Sequence, residues 1–351
     1  MITEERLAAL EAQMAALVEP PTEYYTSRYS GEEIDKGVDG ALQLGGASTP
    51  QGAIAALGAG VRPNLLVNPF FKVNQRKRTS YTGIVYTVDA WFSNSLSLTT
   101  QVTDDGVSLT GTGYDYLKNY IESPEQYNGK TITISALVKN PGGQFRINLY
   151  NESKQVSNNF DIPASSDWVI ISGTIHGLQV SDGDRLAFLL YPGGGVSGQT
   201  ATAQVMAAKI EEGENQTLGY IDSSGNPVLL ERPNPLEELR CKRLQLILPQ
   251  GDSLNYAPIG YGYILGETAR ILVPTPIKMR TNPTLGFING SISGLSILTT
   301  TDLAIPTAVS HINALEYGVS INFVIPSGAR NESPCTLRCT TGYAFLNANI
   351  V

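Results

Sequence analysis

From residue 63 onward, apolar and polar residues alternate with a period of two. A chain written that way folds as β-strands with one face turned inward. Ile132, Ile134, Ala136 and Val138 alternate with Thr131, Thr133 and Ser135. Phe145, Ile147 and Leu149 alternate with Gln144, Arg146 and Asn148. Further strands are predicted over 84–92, 95–102, 106–111, 168–176, 185–191 and 202–211. Asp105-Gly106, Asn128-Gly129, Pro141-Gly142-Gly143, Asp182-Gly183 and Pro192 to Gly195 supply turns between them. Strands at that spacing predict a sandwich or jelly roll over 63–215.

Residues 216–239 read as a turn-rich linker, with a brief helix or turn at 236–239. A second β-sandwich, a tip domain, is predicted over 240–351. Its expected strands are 242–248, 259–265, 268–273, 284–289, 295–300, 318–325, 335–340 and 343–350. Val319, Ile321, Phe323 and Ile325 form one alternating face, and Pro274, Pro276 and Pro283 confine 274–283 to an edge or loop.

The first 62 residues follow a different rule. Leu7, Leu10, Met14 and Leu17 are spaced 3-4-3, the seam of a coiled coil, before Pro20-Pro21 ends the helix. About two heptads do not hold together alone, so the helix over 1–21 is expected to oligomerise. Residues 22–62 read as a helical and loop connector, with a capping box at Ser30 and Glu33 and a capped start at Ser48-Thr49-Pro50.

Charge removes several functions. Only 16% of residues are charged and the net charge is −8, which disfavours a nucleic-acid partner. The basic run Gln75-Arg76-Lys77-Arg78 reads as a solvated turn. The N-terminus carries no signal-peptide pattern, and no apolar run reaches the roughly 18 residues needed to cross a bilayer. Cys241, Cys335 and Cys339 are an odd set, expected as free thiols of a reducing cytosol.

Catalytic chemistry is poorly supplied. The two histidines are His176, in an expected strand, and His311, in an expected loop, and neither lies near a nucleophile elbow. Glu211 and Glu212 point to opposite faces of a strand, and Glu122 and Glu125 flank a proline turn as solvated carboxylates. No zinc set is present, but Asp104, Asp182 and Asp184 are loop carboxylates of the kind that bind calcium. The chain is therefore expected to have no catalytic residues and no cofactor beyond a structural calcium. Seventeen tyrosines against two tryptophans suit sugar contact by rigid amphipathic rings. Tyr114, Tyr116 and Tyr191 are the candidates in the first β-domain, and Tyr256, Tyr261 and Tyr263 in the second. Trp91 and Trp168 read as core.

Several segments together resemble modular tail-fibre or receptor-binding proteins of bacteriophages and prophages. Leu65-Leu66-Val67-Asn68-Pro69-Phe70-Phe71-Lys72-Val73-Asn74-Gln75-Arg76 is similar to the first strand of their jelly-roll module. Tyr86-Thr87-Val88-Asp89-Ala90-Trp91-Phe92 resembles its aspartate-x-tryptophan strand, although the family often has Arg where Ala90 stands. Lys209-Ile210-Glu211-Glu212-Gly213 looks like its last strand. Weaker likenesses are Pro50 to Ala59 to fibre linkers, Tyr24 to Leu42 to N-terminal segments of phage structural proteins, and Arg240 to Arg243 to the start of a tip domain. The resemblance implies a carbohydrate-binding-module-like jelly roll, often with a structural calcium. It also implies a homotrimer, a helical end toward the virion and its structural proteins, and a distal tip. The expected function is attachment to a host-surface glycan by multivalent non-covalent binding. A purely structural fibre or connector, on tail or head, and a glycan depolymerase are the alternatives. The chain is expected on a virion appendage assembled in the bacterial cytoplasm, without membrane insertion.

Overall fold

The computed structural model describes residues 61–231, 234–248, 258–288, 291–299, 303–326, 333–339 and 343–348. The coiled-coil residues Leu7, Leu10, Met14 and Leu17 lie outside the described residues, as does nearly all of the connector.

The alternating stretches become strands β1 (Ser80–Thr82), β2 (Phe92–Ser93), β3 (Thr99–Thr103), β4 (Gly106–Thr112), β5 (Leu117–Tyr120), β6 (Ile132–Asn140), β7 (Phe145–Asn151), β8 (Val156–Ile162), β9 (Ser165–Ile175), β10 (Leu186–Tyr191) and β11 (Thr200–Glu212). They form a six-stranded sheet, β1-β3-β4-β11-β6-β9, and a five-stranded sheet, β2-β5-β10-β7-β8, with antiparallel pairing throughout. Ile132, Ile134, Ala136 and Val138 of β6 join Phe145, Ile147 and Leu149 of β7 and Leu186, Phe188 and Leu190 of β10 in one core. Trp91 is fully buried there, 4.7 Å from the Phe71 ring and 6.3 Å from Phe188. The domain is thus mainly β and sandwich-like, as the alternation requires.

Several expectations fail locally. Residues 65–76 form no strand: the segment bends, with Asn68 and Phe71 left-handed. It lies beside β11 where β4 has ended, through Leu65 N–H to the Ile210 carbonyl and Ala208 N–H to the Pro69 carbonyl. Nor is 84–92 a strand. Only a single Tyr86–Phe92 bridge forms, because Ala90 turns left-handed and sends Trp91 inward. The two motifs are tied together at Asn68. Its carbonyl accepts from Trp91 Nε1 at 2.9 Å, and its side chain donates to the carbonyls of Val73 and Asp89. Strands β5 and β8 were not anticipated. Trp168 is only half-buried and sits outside the sandwich core, in a cluster with Phe70, Leu137, Ala207 and Leu218.

That outer cluster lies on the six-stranded sheet beneath a hairpin of β12 (Gly219–Ile221) and β13 (Pro227–Leu229). Under the same cover Lys209 and Glu211 have no exposed side-chain surface. Lys209 Nζ lies 3.0 Å from Thr217 Oγ1, 3.2 Å from Glu231 and 3.8 Å from Glu211.

Helix α1 (Glu237–Leu244) opens the second domain. It extends further than the expected turn at 236–239 and takes residues 242–244 from the expected strand. Cys241 and Leu244 are drawn onto Val67 and Ala90 of the first domain, where helical spacing keeps both on one face. The remaining strands are β14 (Gln245–Ile247), β15 (Pro258–Leu265), β16 (Thr268–Pro274), β17 (Thr284–Ile288), β18 (Leu295–Leu298), β19 (Leu303–Ala304), β20 (Ala308–Leu315), β21 (Gly318–Val324), β22 (Pro334–Cys339) and β23 (Tyr343–Asn347). A seven-stranded sheet, β19-β18-β22-β15-β16-β21-β20, and a three-stranded sheet, β14-β23-β17, share a core that includes Val319, Ile321, Phe323 and Ile325. His311 lies in β20, not in a loop. Cys335 and Cys339 form no disulfide and stand four residues apart on β22. An extended strand separates such positions by about 13 Å, too far for a disulfide.

The basic run at 75–78 is not a solvated turn. The Arg76 side chain is 5% exposed. Its guanidinium donates to the Thr87 carbonyl at 2.9 Å and to Gln245 Oε1, and lies 3.8 Å from Asp89. Gln75 Nε2 donates to the Gln245 carbonyl, and Asn68 N–H donates to Glu237. Glu122, read as solvated, is held by Arg243 at 2.6 Å and Arg280 at 3.4 Å. These bonds clamp the two domains together.

Burial pushes the Asp89 carboxyl up to about 6, against the opposing pull of Gln75 N–H and Arg76. Because the folded value lies above the unfolded one, the folded state binds the extra proton between about pH 4 and 6. This group's stabilising contribution is complete below about pH 4 and is lost as pH rises through 6. Relative to wild type, Asp89→Asn is expected to gain about 2 kcal/mol of stability between pH 4 and 7. Urea denaturation of both proteins at each pH checks this; a pH-independent difference would rule it out.

Candidate functional site

The five-stranded sheet turns its other face outward. In β5, Leu117 and Asn119 are buried while Lys118 and Tyr120 are half-exposed. In β7 the outward set is Arg146, Asn148 and Tyr150, opposite the core residues Phe145, Ile147 and Leu149. Register aligns these across strands. Lys118, Leu189, Asn148 and Asn159 form one row; Tyr120, Ala187, Tyr150 and Ser157 form the next; Tyr191, Arg146 and Asp161 form a third. Ala187 and Leu189, the β10 members of two of these rows, are buried beneath their neighbours' side chains.

Tyr116 and Tyr191 meet at one end, ring centroids 5.0 Å apart and tilted by 56°. Burial raises the Tyr191 phenol to about 12, so it stays a hydrogen-bond donor at neutral pH. Arg146 makes two bonds to Asp161, at 2.7 and 3.0 Å. Asn148 spans β7 and β8, donating to Ser157 Oγ and accepting from Asn158 N–H, each at 3.1 Å. On the other side Glu152 gathers Lys118 at 2.6 Å, the Tyr120 hydroxyl at 2.9 Å and Arg185 at 3.0 Å. Both carboxylates of the face are thus occupied by cations.

The glycine run sets the end wall. Gly195 N–H donates to the Gly113 carbonyl and Gly113 N–H to the Gln199 carbonyl. Gly195 is left-handed, and a Cβ there would meet the Arg146 guanidinium at 2.3 Å. This clamp holds Tyr114, 65% exposed, on the loop just before Tyr116.

Three of the six tyrosines singled out from sequence, Tyr114, Tyr116 and Tyr191, therefore converge. Tyr261 and Tyr263 stand exposed on β15 in the second domain, where Arg270 reaches the Tyr263 hydroxyl at 3.3 Å. Tyr256 lies outside the described residues. Tyr120, Tyr150, Lys118, Arg146 and Glu152 were missed. The alternation within 117–120 and 145–151 was the signal for all but Glu152.

Asp104 occupies the β3–β4 turn and Asp182 the turn before β10. Asp184 accepts from Ser181 N–H at 2.8 Å and Asn151 Nδ2 at 3.0 Å, and pairs with Lys154 at 3.1 Å. Among the described residues no three His, Cys, Asp or Glu side chains are grouped so as to hold a metal. No helix among them is long and apolar enough to cross a membrane. His176 follows β9 and His311 lies on β20, in separate sheets of separate domains.

The described residues form an antiparallel β-protein with two large hydrophobic cores and an aromatic and polar sheet surface. No protein-family model matches the chain, and no curated protein is significantly similar to it in sequence. Among solved structures its neighbours include carbohydrate-binding modules and an α-L-arabinofuranosidase, all at low identity. A CBM4 module is 17% identical over 42% of this chain and 99% of that one, with a TM-score of 0.30. The CBM22-2 xylan-binding domain of a Paenibacillus barcinonensis xylanase is 13% identical over 38% and 98%, with a TM-score of 0.28. The CBM22-1 and GH10 modules of a Clostridium thermocellum xylanase, complexed with xylohexaose, are 11% identical over 39% of this chain, with a TM-score of 0.27. The match spans 29% of that xylanase chain.

Proposed function

We propose that this chain is a non-catalytic attachment subunit of a viral fibre that binds a host-surface glycan on the outer face of its five-stranded sheet. The observation that carries the glycan reading is the face itself. A tyrosine pair stands beside a bidentate Arg146–Asp161 pair and a row of amides and hydroxyls. Sugars present apolar ring faces and a belt of hydroxyls, and such a surface answers both. Non-catalysis rests on the supply of groups. The two histidines stand apart, and Glu152 and Asp161 are neutralised by cations, not poised as an acid and a base. The proposal includes a homotrimer on a virion appendage, assembled in the host cytoplasm and joined to other virion proteins through the heptad helix. Calcium is retained as a structural ion only, and neither nucleic acid nor membrane insertion is part of it.

The test is a glycan array and host-cell binding with the full chain, alongside Tyr116→Ala/Tyr191→Ala. Wild type is expected to bind a defined set of oligosaccharides, and the double variant to lose at least about 30-fold in affinity while remaining folded. No glycan binding by wild type would leave a structural connector as the function. Release of reducing ends from host polysaccharide would make it a depolymerase. A mass measurement other than that of a trimer would remove the three-fold assembly.

A further inference from the structure

Beside the clamp between the domains lies an open pocket of about 430 Å³. Tyr81, Tyr86 and Phe92 line it from the first domain, Phe287 and Phe345 from the second, and Arg76 lies against both. Neither domain makes this cavity alone. Its volume is that of a small-molecule site, and its walls combine aromatic faces with a few polar groups.

The polar groups point to one kind of occupant. The Tyr86 hydroxyl is buried without a hydrogen-bond partner, although its ring is held edge-on to Phe92 at 5.0 Å. Gln245, behind the lining, accepts from Arg76 through its side-chain oxygen and so fixes the guanidinium in the wall. The Arg76 guanidinium lies 5.9 Å from the Tyr86 ring centroid and 5.8 Å from that of Phe345. The guanidinium can only donate, and the phenol can donate its O–H to an acceptor. The buried Asp89 Oδ1, behind the lining, already faces Arg76 at 3.8 Å. Buried donors left open cost free energy unless an acceptor fills them. Arg78 adds a second cation to the lining, and Ile84, 55% exposed, stands on the rim.

We infer that the cavity between the domains binds the charged unit of an anionic saccharide, a pyranose carrying a carboxylate or a phosphate. The acidic group meets the Tyr86 hydroxyl and the cationic wall, and the ring lies against Phe92 and Phe345. Position supports the choice. Phe92 belongs to β2, the edge strand of the glycan face, and Lys118 of that face lies 5.6 Å from its ring. From the Tyr191 strand to β2 is two strand spacings, about 10 Å, which a short oligosaccharide spans. The choice of a sugar as carrier of the charge rests on the glycan reading of the sheet face; the charge and the aromatic walls do not.

The experiment is calorimetric titration of the full chain with glucuronate, glucose 6-phosphate and glucose, and separately with neutral oligosaccharides. At least one charged monosaccharide is expected to bind about tenfold or more tighter than glucose, and more weakly as salt is raised. Binding of only the carboxylate or only the phosphate supports the inference and names the acidic group. Tyr86→Phe is expected to lower that affinity about tenfold. It should leave folding stability unchanged or higher, since its hydroxyl has no bond to lose. Ile84→Glu puts a negative charge on the rim and should weaken the charged ligands selectively. Equal affinity for charged and neutral monosaccharides, or charged binding unaffected by both variants, overturns the inference. Failure of the sheet-face reading is seen separately, as neutral-oligosaccharide binding that is absent or indifferent to Tyr116→Ala/Tyr191→Ala.

Discussion

Replacing Lys209 by alanine is expected to lower folding stability by about 3–5 kcal/mol. Lys209 and Glu211 are both fully enclosed, and Glu231 closes the group at 3.2 Å from the ammonium. The cause is positional. β11 runs Lys209, Ile210, Glu211, and Ile210 takes the core side. Lys209 and Glu211 must then face outward, where the β12–β13 hairpin and its apolar cluster exclude water. Removing the ammonium strands two carboxylates at that site and takes a donor from the Thr217 carbonyl, while the Thr217 hydroxyl keeps the Arg62 N–H. Burial already raises the Glu231 carboxyl, so without Lys209 it is expected to take up a proton at higher pH still. Urea denaturation gives the loss directly. The triple variant Lys209→Met, Glu211→Gln, Glu231→Gln separates charge from packing. It should recover much of the loss, because it leaves no unpaired charge inside. A single variant within about 1 kcal/mol of wild type would mean that water reaches the site.

How the sequence discloses this fold depends on what each residue's neighbours are. Val319, Ile321 and Phe323 read as an inward face and are one, because alternation is a local property and the sheet preserves it. β8 was missed since Val156 to Ile162 lies at a sheet edge with little burial, so no apolar row marks it. The segment from Tyr86 to Phe92 reads as strand because Tyr86, Thr87, Val88, Trp91 and Phe92 are β-prone. A left-handed Ala90 and the Asn68 bonds override that propensity. Tyr116 and Tyr191 were separately legible as candidates, but their meeting was not. It depends on β10 pairing with β5, a contact 71 residues long in the Leu189–Lys118 pair (189 − 118). Arg76 shows the strongest contrast. Its neighbours Lys77 and Arg78 suggested solvent, and what buries it is Gln245 and Phe345, more than 160 residues away by number (245 − 76 = 169; 345 − 76 = 269).

That burial makes Arg76 the residue on which the union of the domains most depends. Arg76→Ala is expected to cost about 3–5 kcal/mol and to split unfolding from one calorimetric transition into two. The guanidinium joins the Thr87 carbonyl and Asp89 of one domain to Gln245 and the Phe345 ring of the other. Alanine leaves the Asp89 carboxylate buried and without its cation, and opens a gap between the rings of Tyr86 and Phe345. The second clamp, Glu122 with Arg243 and Arg280, is about one-third exposed and is screened by solvent, so it cannot replace the first. The pH dependence identifies the mechanism. Asp89 titrates near 6 with Arg76 present, and losing the cation raises it further. The penalty of Arg76→Ala should therefore shrink as pH falls toward 4, where a protonated Asp89 needs no counterion. Arg76→Lys retains charge without the fork that reaches both Thr87 and Gln245, so it should restore the pH behaviour more fully than the single transition. One undivided transition in Arg76→Ala, at wild-type stability, would assign the coupling to α1 and its contacts with Val67 and Ala90 instead.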